Sequence, residues 1–298
     1  MATTPARNRS GTTPAEVPSP RQAGDDAPAV SVIIPTVDRE KLLLRAVRSV
    51  AGQDYLGPIE IIVVRDGSPS ADATAELEQT MAAELRAGVS LRQVPNTRSK
   101  GLPGARNSGI LAASTDFVAF CDDDDEWLPQ KLELQLARLV CNPDAVACSC
   151  GYEQHFPSGK IRKILLRDRP SLDDLLIGSV LGGASMCLCS RSALEAIGAY
   201  DTSLRSGQDW DLWTRLREQG EIVVSPEVLV KYQAHDGPRI TNNMAAQYQG
   251  ARRFLFKHRA KMSAQVRAIR TAYACFIMSR QTRRSRCARA KYLLIAVR

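Results

Sequence analysis

The run Asp122-Asp-Asp-Asp125 follows directly on Phe117-Val-Ala-Phe-Cys121, an apolar stretch of strand length. Carboxylates at the end of a buried strand offer oxygen donors to a hard divalent cation, Mg²⁺ or Mn²⁺. Four adjacent carboxylates repel one another, and a cation relieves that repulsion. Such an ion would neutralise a diphosphate and stabilise charge on a leaving group. The plainer alternative is an acidic turn or helix start, with Asp124 and Asp125 favouring the N-terminus of a helix near Pro129. Two more polar clusters end apolar runs: Thr36-Val-Asp38-Arg39 after Val30–Ile34, and Arg65-Asp66-Gly-Ser68 after Ile59–Val64. Asp66 is equally a turn former. His235 and Arg239 share a turn-rich stretch, where they read either as metal or phosphate contacts or as ordinary loop side chains.

Positioning these clusters requires buried strands. Val30–Ile34 is apolar almost without interruption, as a strand covered on both faces must be. Leu42, Leu43, Ala46, Val47 and Val50 follow with helical spacing. Strands are predicted at Ile59–Val64, Leu91–Val94 and Phe117–Cys121, with helices over Ala71–Arg86 and Gly104–Ala113. Four strand–helix alternations in about 120 residues indicate a parallel sheet with helices on both faces. In such sheets ligands bind beyond the carboxyl ends of the strands, where all three clusters fall. Beyond Leu139 the pattern is mixed: short strand-like pieces at Ala145–Cys150, Lys160–Leu166, Ala184–Cys189, Ile222–Val224 and Leu229–Gln233, and a helix over Gln208–Glu218.

The formal net charge of +8 is misleading until it is localised. Gly250–Arg298 holds 14 Lys and Arg and no Asp or Glu, so the rest of the chain is acidic and no nucleic-acid partner is expected. Residues 1–29 contain five prolines and no apolar run, which predicts a disordered leader and not a signal peptide. The longest uncharged run, Leu175–Ser190, is interrupted by glycines and falls short of the ~20 residues a spanning helix needs. Eight cysteines without a secretion signal indicate a reducing, cytoplasmic setting. Cys148-Ser-Cys150 and Cys187-Leu-Cys189 lack the usual zinc spacing and read as small hydrophobes in strands.

Four segments in order, Val30-Ser-Val-Ile-Ile-Pro-Thr36, Glu60-Ile-Ile-Val-Val-Arg-Asp66-Gly-Ser, Ala105-Arg-Asn-Ser-Gly109 and Phe120-Cys-Asp122-Asp-Asp124-Asp-Glu-Trp127, resemble the successive motifs of family-2 glycosyltransferases. The resemblance implies an α/β chain with one GT-A domain around a mainly parallel sheet, helices on both faces and a C-terminal helical extension. The expected division is a leader over 1–29, a transferase domain over 30–243 (nucleotide half 30–140, acceptor half 141–243) and a basic extension over 244–298. It further implies Thr36 and Asp66 against a nucleobase, with Asp38 and Asp123 in the same nucleotide-sugar site. Arg106 would lie near the phosphates, Asp122 at the ribose and Asp124 on the metal. Gly182-Gly-Ala-Ser-Met186 resembles the approach to the acceptor pocket. The closing segment would bring His235, a second metal-ligand candidate, and Arg239 onto the diphosphate. The sequence departs from the family at Val37-Asp38, at Arg65, which replaces the first of two aspartates, and at Gln208, which replaces a Glu.

Gln208-Asp209-Trp-Asp211-Leu-Trp213 resembles the segment that supplies the catalytic base. Two residues apart on a helix, Asp209 and Asp211 point to nearly opposite sides. Asp209 shares a face with Leu212, Trp213 and Leu216 and is the expected base. Asp211, four before Arg215, reads as a surface ion pair. The competing reading of Asp209 is a capping box from Ser206. The function implied is inverting, non-processive transfer of one sugar from a nucleotide sugar, UDP-linked by resemblance, to an envelope glycan or natural-product acceptor. A nucleotidyltransferase or a non-catalytic sugar-nucleotide binder are the alternatives; a dinucleotide oxidoreductase lacks its G-x-G-x-x-G. In the tail, Val266, Ile269, Tyr273, Phe276 and Ile277 recur at helical spacing among Arg267, Arg270 and Arg280. This reads as a packed helix with a solvated face, or as a peripheral dock on an anionic membrane at its inner face.

Overall fold

The computed structural model describes residues 27–37, 39–67, 71–234 and 243–281. Asp38, His235 and Arg239 lie outside these residues, as does nearly all of the leader and the chain beyond 281. The nucleotide half alternates as its periodicity requires: β1 (Val30–Thr36), α1 (Glu40–Ala51), β2 (Ile59–Arg65), α2 (Ala71–Ala82), β3 (Val89–Pro95), α3 (Leu102–Ala112) and β4 (Phe117–Phe120). The second half holds β5 (Glu126–Trp127), α4 (Lys131–Val140), β6 (Ala145–His155), β7 (Ile161–Ile164), α5 (Leu172–Ile177), β8 (Leu188–Ser190), α6 (Arg191–Ala196), α7 (Gln208–Leu216) and β9 (Glu221–Gln233). Two helices close the described chain, α8 (Met244–His258) and α9 (Ala264–Gln281). Among the described residues no helix is long and apolar enough to cross a membrane.

The strands form one sheet in the order β3-β2-β1-β4-β8-β6-β9-β5, with β7 paired to β6. Its long ladders, β1 with β2, β2 with β3 and β6 with β9, are parallel, whereas β8 runs antiparallel to both β4 and β6. Along β1, Val30, Val32 and Ile34 join one core with α1, α2 and α4, while Ile33 joins the opposite core with α3 and α7. Burial on both faces is why the strand carries no polar alternation. The chain order reverses between β1 and β4, because β2 and β3 extend the sheet to one side before β4 returns to the other. The carboxyl ends of β1 and β4 therefore flank the crevice where open α/β sheets bind ligands.

Three local expectations change. Ile222–Val224 and Leu229–Gln233 are one strand: its pairing skips Pro226 and Glu227 at a bulge, where a residue without an N–H is tolerated. Ala184–Cys189 is a short 3₁₀ turn, Ala184–Met186, leading into β8. Helix α4 starts at Lys131 with Gln130 as N-cap and no side-chain cap bond, so neither Asp124 nor Asp125 caps it. Cys148, Cys150, Cys187 and Cys189 are buried in and beside β6 and β8, where desolvation pushes each thiol up.

Candidate active site

The motif Ala105-Arg-Asn-Ser-Gly109 divides its work by residue. Gly109 lets α3 lie against β1, since a Cβ there would stand 2.3 Å from Ile33 Cγ2. Ser108 donates to Asn96 Oδ1 at 2.7 Å, and Asn96 donates to Asp66 Oδ1 at 2.5 Å. Asn107 exchanges two hydrogen bonds with the backbone of Tyr200, at 2.9 and 2.8 Å, pinning the loop that leads to α7. Arg106 is 1% exposed and joins two elements distant in sequence. Its Nη2 donates to Asp122 Oδ1 at 2.7 Å and its Nη1 to Asp209 Oδ1 at 2.8 Å. Burial opposes the guanidinium's charge, but the carboxylates of Asp122 and Asp209 outweigh it and raise its pKa above the ordinary value.

Each aspartate of the run has a different setting. Desolvation raises the Asp122 carboxyl against the pull of Arg106, and its backbone N–H donates to Ser185 Oγ at 2.9 Å. Asp123 accepts from Thr36 Oγ1 at 2.6 Å and from Arg39 Nε at 3.0 Å, yet burial still lifts it to about 6. Asp124 accepts from Arg39 Nη1 at 3.1 Å, and its carbonyl from Arg45 Nη2 at 2.8 Å. Asp125 is turned inward, accepts from the Gln233 N–H at 3.3 Å, and is pushed up by desolvation and by Asp122 and Asp124.

Asp122, Asp123, Asp124, Arg106 and Asp209 all line one cleft of about 780 Å³, together with Gly182, Gly183 and Met186. Thr36 and Asp66 do not line it. Thr36 commits its hydroxyl to Asp123, and Asp66 accepts from Asn96 and, at 2.7 Å, from the Gly101 N–H. Arg65 likewise stays out of the cleft: it is buried between Glu40, at 2.5 Å, and Gln93, so the departure at this position is absorbed by a local ion pair. Gln208 lines the cleft but turns its amide to the Leu204 carbonyl at 3.0 Å.

The two aspartates of α7 are placed differently from what the sequence suggests. Asp209 stands on the cleft wall, its side chain 28% exposed, whereas Asp211 is completely buried. The ion pair of Asp211 with Arg215 forms at 2.8 Å, but in the interior, together with Lys257 at 2.9 Å and His258 Nε2 at 2.8 Å. Burial alone would raise this carboxyl; His258, Arg215 and Lys257 reverse that and hold it at about 2. The Asp211 pair is thus not a surface feature but the point where α8 is fastened to α7. Helix α7 has Gly207 as N-cap and no side-chain cap bond, so Asp209 forms no capping box with Ser206.

Sequence reasoning missed the wall opposite the aspartates. Gly250, Ala251 and Phe254 of α8 and Arg270 and Tyr273 of α9 line the cleft with Trp210. A Cβ on Gly250 would stand 2.3 Å from the Ser206 carbonyl, so α8 sits directly against the lead-in to α7. The basic extension is therefore part of the site. On α9, Val266, Arg270, Ala274 and Ile277 are buried, while Ile269, Tyr273 and Phe276 are exposed. The apolar residues do not share one face, and Arg270 lies on the buried one. The available signal was the spacing of Arg270 four residues after Val266 and four before Ala274.

The donor set of the Asp122–Asp124 turn fits a hard cation: carboxylate oxygens in a cleft, two of them, Asp122 and Asp123, raised by burial and crowding. Among the described residues no three metal-ligating side chains converge into a preformed cage.

An uncharacterized glycosyltransferase of Rickettsia typhi is 29% identical over 219 residues, covering 70% of this chain and 65% of the relative, so the chain spans less than two-thirds of that protein. The putative colanic acid biosynthesis glycosyl transferase WcaA of Escherichia coli is 27% identical over 238 residues, 78% of this chain and 82% of its own. In fold, the chain is similar to S. aureus TarS 1-349 in complex with UDP-GlcNAc, with TM-score 0.62, 18% identity and coverage of 87% and 74%. It is also similar to the mannosyltransferase PcManGT of Pyrobaculum calidifontis in complex with GDP-Man and Mn²⁺, with TM-score 0.61, 19% identity and coverage of 94% and 76%. The profile of Glycosyl transferase family 2 matches residues 31–198. With that match over more than half its length, on a GT-A sheet whose carboxylates gather at the β1/β4 crevice, the chain belongs to glycosyl transferase family 2.

Proposed function

We propose that the protein is a metal-dependent, inverting glycosyltransferase that moves one sugar from a nucleoside-diphosphate sugar, UDP-linked in the first instance, to an acceptor hydroxyl. The Arg106 bridge carries the reading, because it ties the metal-type carboxylates after β4 to Asp209 on α7 across one cleft. Asp209 commits Oδ1 to Arg106, and its Oδ2 has no hydrogen-bond partner among the described residues. In this reading Oδ2 takes the acceptor's proton as the acceptor oxygen attacks the anomeric carbon. The bond from that carbon to the diphosphate oxygen breaks on the opposite face, and one displacement inverts the configuration. Arg106 keeps the base in place and offsets the charge of Asp122. A bound divalent cation, held chiefly by Asp124, would neutralise the diphosphate as it leaves. His235 and Arg239 are proposed contacts to the same diphosphate.

The ligands of the fold neighbours, UDP-GlcNAc and GDP-Man, support a nucleotide-sugar donor and leave two bases to test. The names of two relatives, a putative colanic acid biosynthesis glycosyl transferase and a pre-mycofactocin glycosyltransferase, make a glycan and a natural product the two acceptor classes to test. The exposed stripe Ile269, Tyr273 and Phe276, in a tail rich in Arg and Lys, supports peripheral contact with an anionic membrane. A panel of nucleotide sugars, read by thermal shift with and without Mn²⁺ and by release of nucleoside diphosphate, tests the donor. Equal nucleotide affinity in EDTA would refute the metal requirement, and an unchanged anomeric configuration in the product would refute inversion.

A further inference from the structure

Arg270 differs from the other arginines of the cleft. Arg39 and Arg106 each lie against two carboxylates. Arg270 is 1% exposed on α9, lines the same cleft, and meets no carboxylate among the described residues. Its Nε and Nη2 are buried without a hydrogen-bond acceptor. Its guanidinium carbon lies 3.8 Å from the centre of the Trp210 ring, 4.8 Å from that of Phe254 and 5.0 Å from that of Tyr273. The Trp210 indole is itself fixed by donating to the Leu175 carbonyl.

This arrangement is costly for a folded protein. A buried cation without a counter-ion and without acceptors loses its hydration and recovers only cation–π attraction. Burial accordingly lowers its pKa to about 10, still well charged at neutral pH. Rings against the guanidinium leave its N–H edge as the direction in which a partner can be met. A planar, pre-oriented N–H fork matches a phosphate or carboxylate bidentately. Trp210 follows the proposed base Asp209 directly and both line the cleft, so an anion held at Arg270 enters the cleft that the base faces.

We infer that Arg270, stacked between Trp210, Phe254 and Tyr273, is an anion-binding and specificity-determining residue that holds a phosphate or carboxylate group of the acceptor. The inference rests on the glycosyl-transfer reading for the word acceptor, while the anion site itself stands on Arg270 alone. Arg270, Phe254 and Tyr273 stand on α8 and α9, beyond the matched residues 31–198, and only Trp210 comes from the motif on α7. The acceptor class it selects is an anionic glycan or polyol, such as a sugar phosphate or a uronate.

The test uses the full chain with sn-glycerol 3-phosphate and inorganic phosphate as probes and glycerol as the uncharged control. Binding is read by ligand-observed NMR in the presence of saturating UDP and Mg²⁺, which fill the donor's phosphate positions. Wild type is expected to bind both anions and not glycerol. Arg270→Met is expected to lose about ten- to a hundredfold in anion affinity, as befits hydrogen bonds to a charged group. Its UDP affinity by calorimetry should stay within about twofold, and its Tm should equal or exceed that of wild type, because an unpaired buried charge is gone. Anion binding that is absent from wild type, or equal in the two proteins, overturns the inference. A fall in UDP affinity of about tenfold, with no anion bound to the UDP-loaded wild type, assigns Arg270 to the donor diphosphate and overturns it too. If neither Arg270→Met nor Arg270→Gln folds, the residue is a structural stack and the inference fails. Should UDP itself not bind, the donor reading fails separately, and the anion titration is run without nucleotide.

Discussion

The two walls of the cleft are built on opposite electrostatic plans. On the strand-end wall every arginine faces carboxylates: Arg39 with Asp123 and Asp124, Arg45 with Glu126, and Arg106 with Asp122 and Asp209. Charges there cross-neutralise, and the wall holds its shape without a ligand. On the C-terminal wall the carboxylate that matters, Asp211, is spent in the interior fastening α8 through Lys257 and His258. Among the described residues, that wall turns Trp210, Phe254 and Tyr273 to the cleft together with Arg270, which meets no carboxylate there. Paired charges position groups for reaction, while an unpaired one waits for a partner from solution.

The sharpest way to break this comparison is at Asp209, where the largest effect is expected. Asp209→Asn should lower kcat by about 10²–10⁴, the usual cost of a missing general base. Donor binding should survive and Tm should stay within a few degrees. If turnover persists in Asp209→Asn and disappears in a still-folded Asp211→Asn, the roles of the two carboxylates are exchanged. The converse variant, Asp211→Asn, acts on folding: it strands Arg215, Lys257 and His258 near a neutral amide. Breaking a buried pair costs about 3–5 kcal/mol, to be read as a lower denaturation midpoint, with amide exchange fastest to increase in α8 and α9. A chain that unfolds at the wild-type midpoint would show that α8 is held by packing alone.

Asp124→Asn should remove the extra thermal stabilisation that Mn²⁺ adds to a nucleotide-bound protein, leaving the unliganded Tm nearly unchanged. Its effect on the fold is small because Asp124 sits at the rim, 17% exposed.

Acid titration gives a smaller readout of the same contrast. The Asp211 carboxyl is lowered from 3.8 to about 2, so its stabilisation is fully present above the unfolded value and is lost as pH falls from about 4 through 2. The shift corresponds to about 2 kcal/mol, a component of acid sensitivity that Asp211→Asn should lack. The least effect is expected from replacing Ile269 and Phe276 with serine. Both are exposed, so stability should hardly move, while co-sedimentation with anionic vesicles should fall if the stripe meets a membrane. Unchanged pelleting would remove the lipid contact from the proposed function.

Much of the nucleotide half was legible because burial on both faces leaves a strong local trace. Val30–Ile34, Ile59–Val64 and Phe117–Phe120 could hardly be anything but covered strands, and the polar clusters at their ends had to share a rim. The aspartate run was found for the same reason, whereas Arg106 was singled out only by the resemblance of Ala105–Gly109 to a family motif. Asp211 was misplaced because spacing identifies a helix face but not what packs on it: the i,i+4 pair with Arg215 is real, and only α8 decides that it is buried. Thr36 and Asp66 were expected at a base, yet their side chains are taken up by Asp123, Asn96 and Gly101, partners 30 or more residues away.

By itself the sequence determined the family, the parallel half of the sheet and the rim on which carboxylates gather, since all three follow from local pattern and chain order. Tertiary structure alone decided which aspartate of α7 reaches the cleft, that Arg65 is absorbed by Glu40, and that a tail read as a packed helix or a membrane dock becomes a wall of the site. The physical reason is common to all three. Each depends on a contact between elements distant in sequence, and burial of a charge is a property of the contact and not of the residue that bears it.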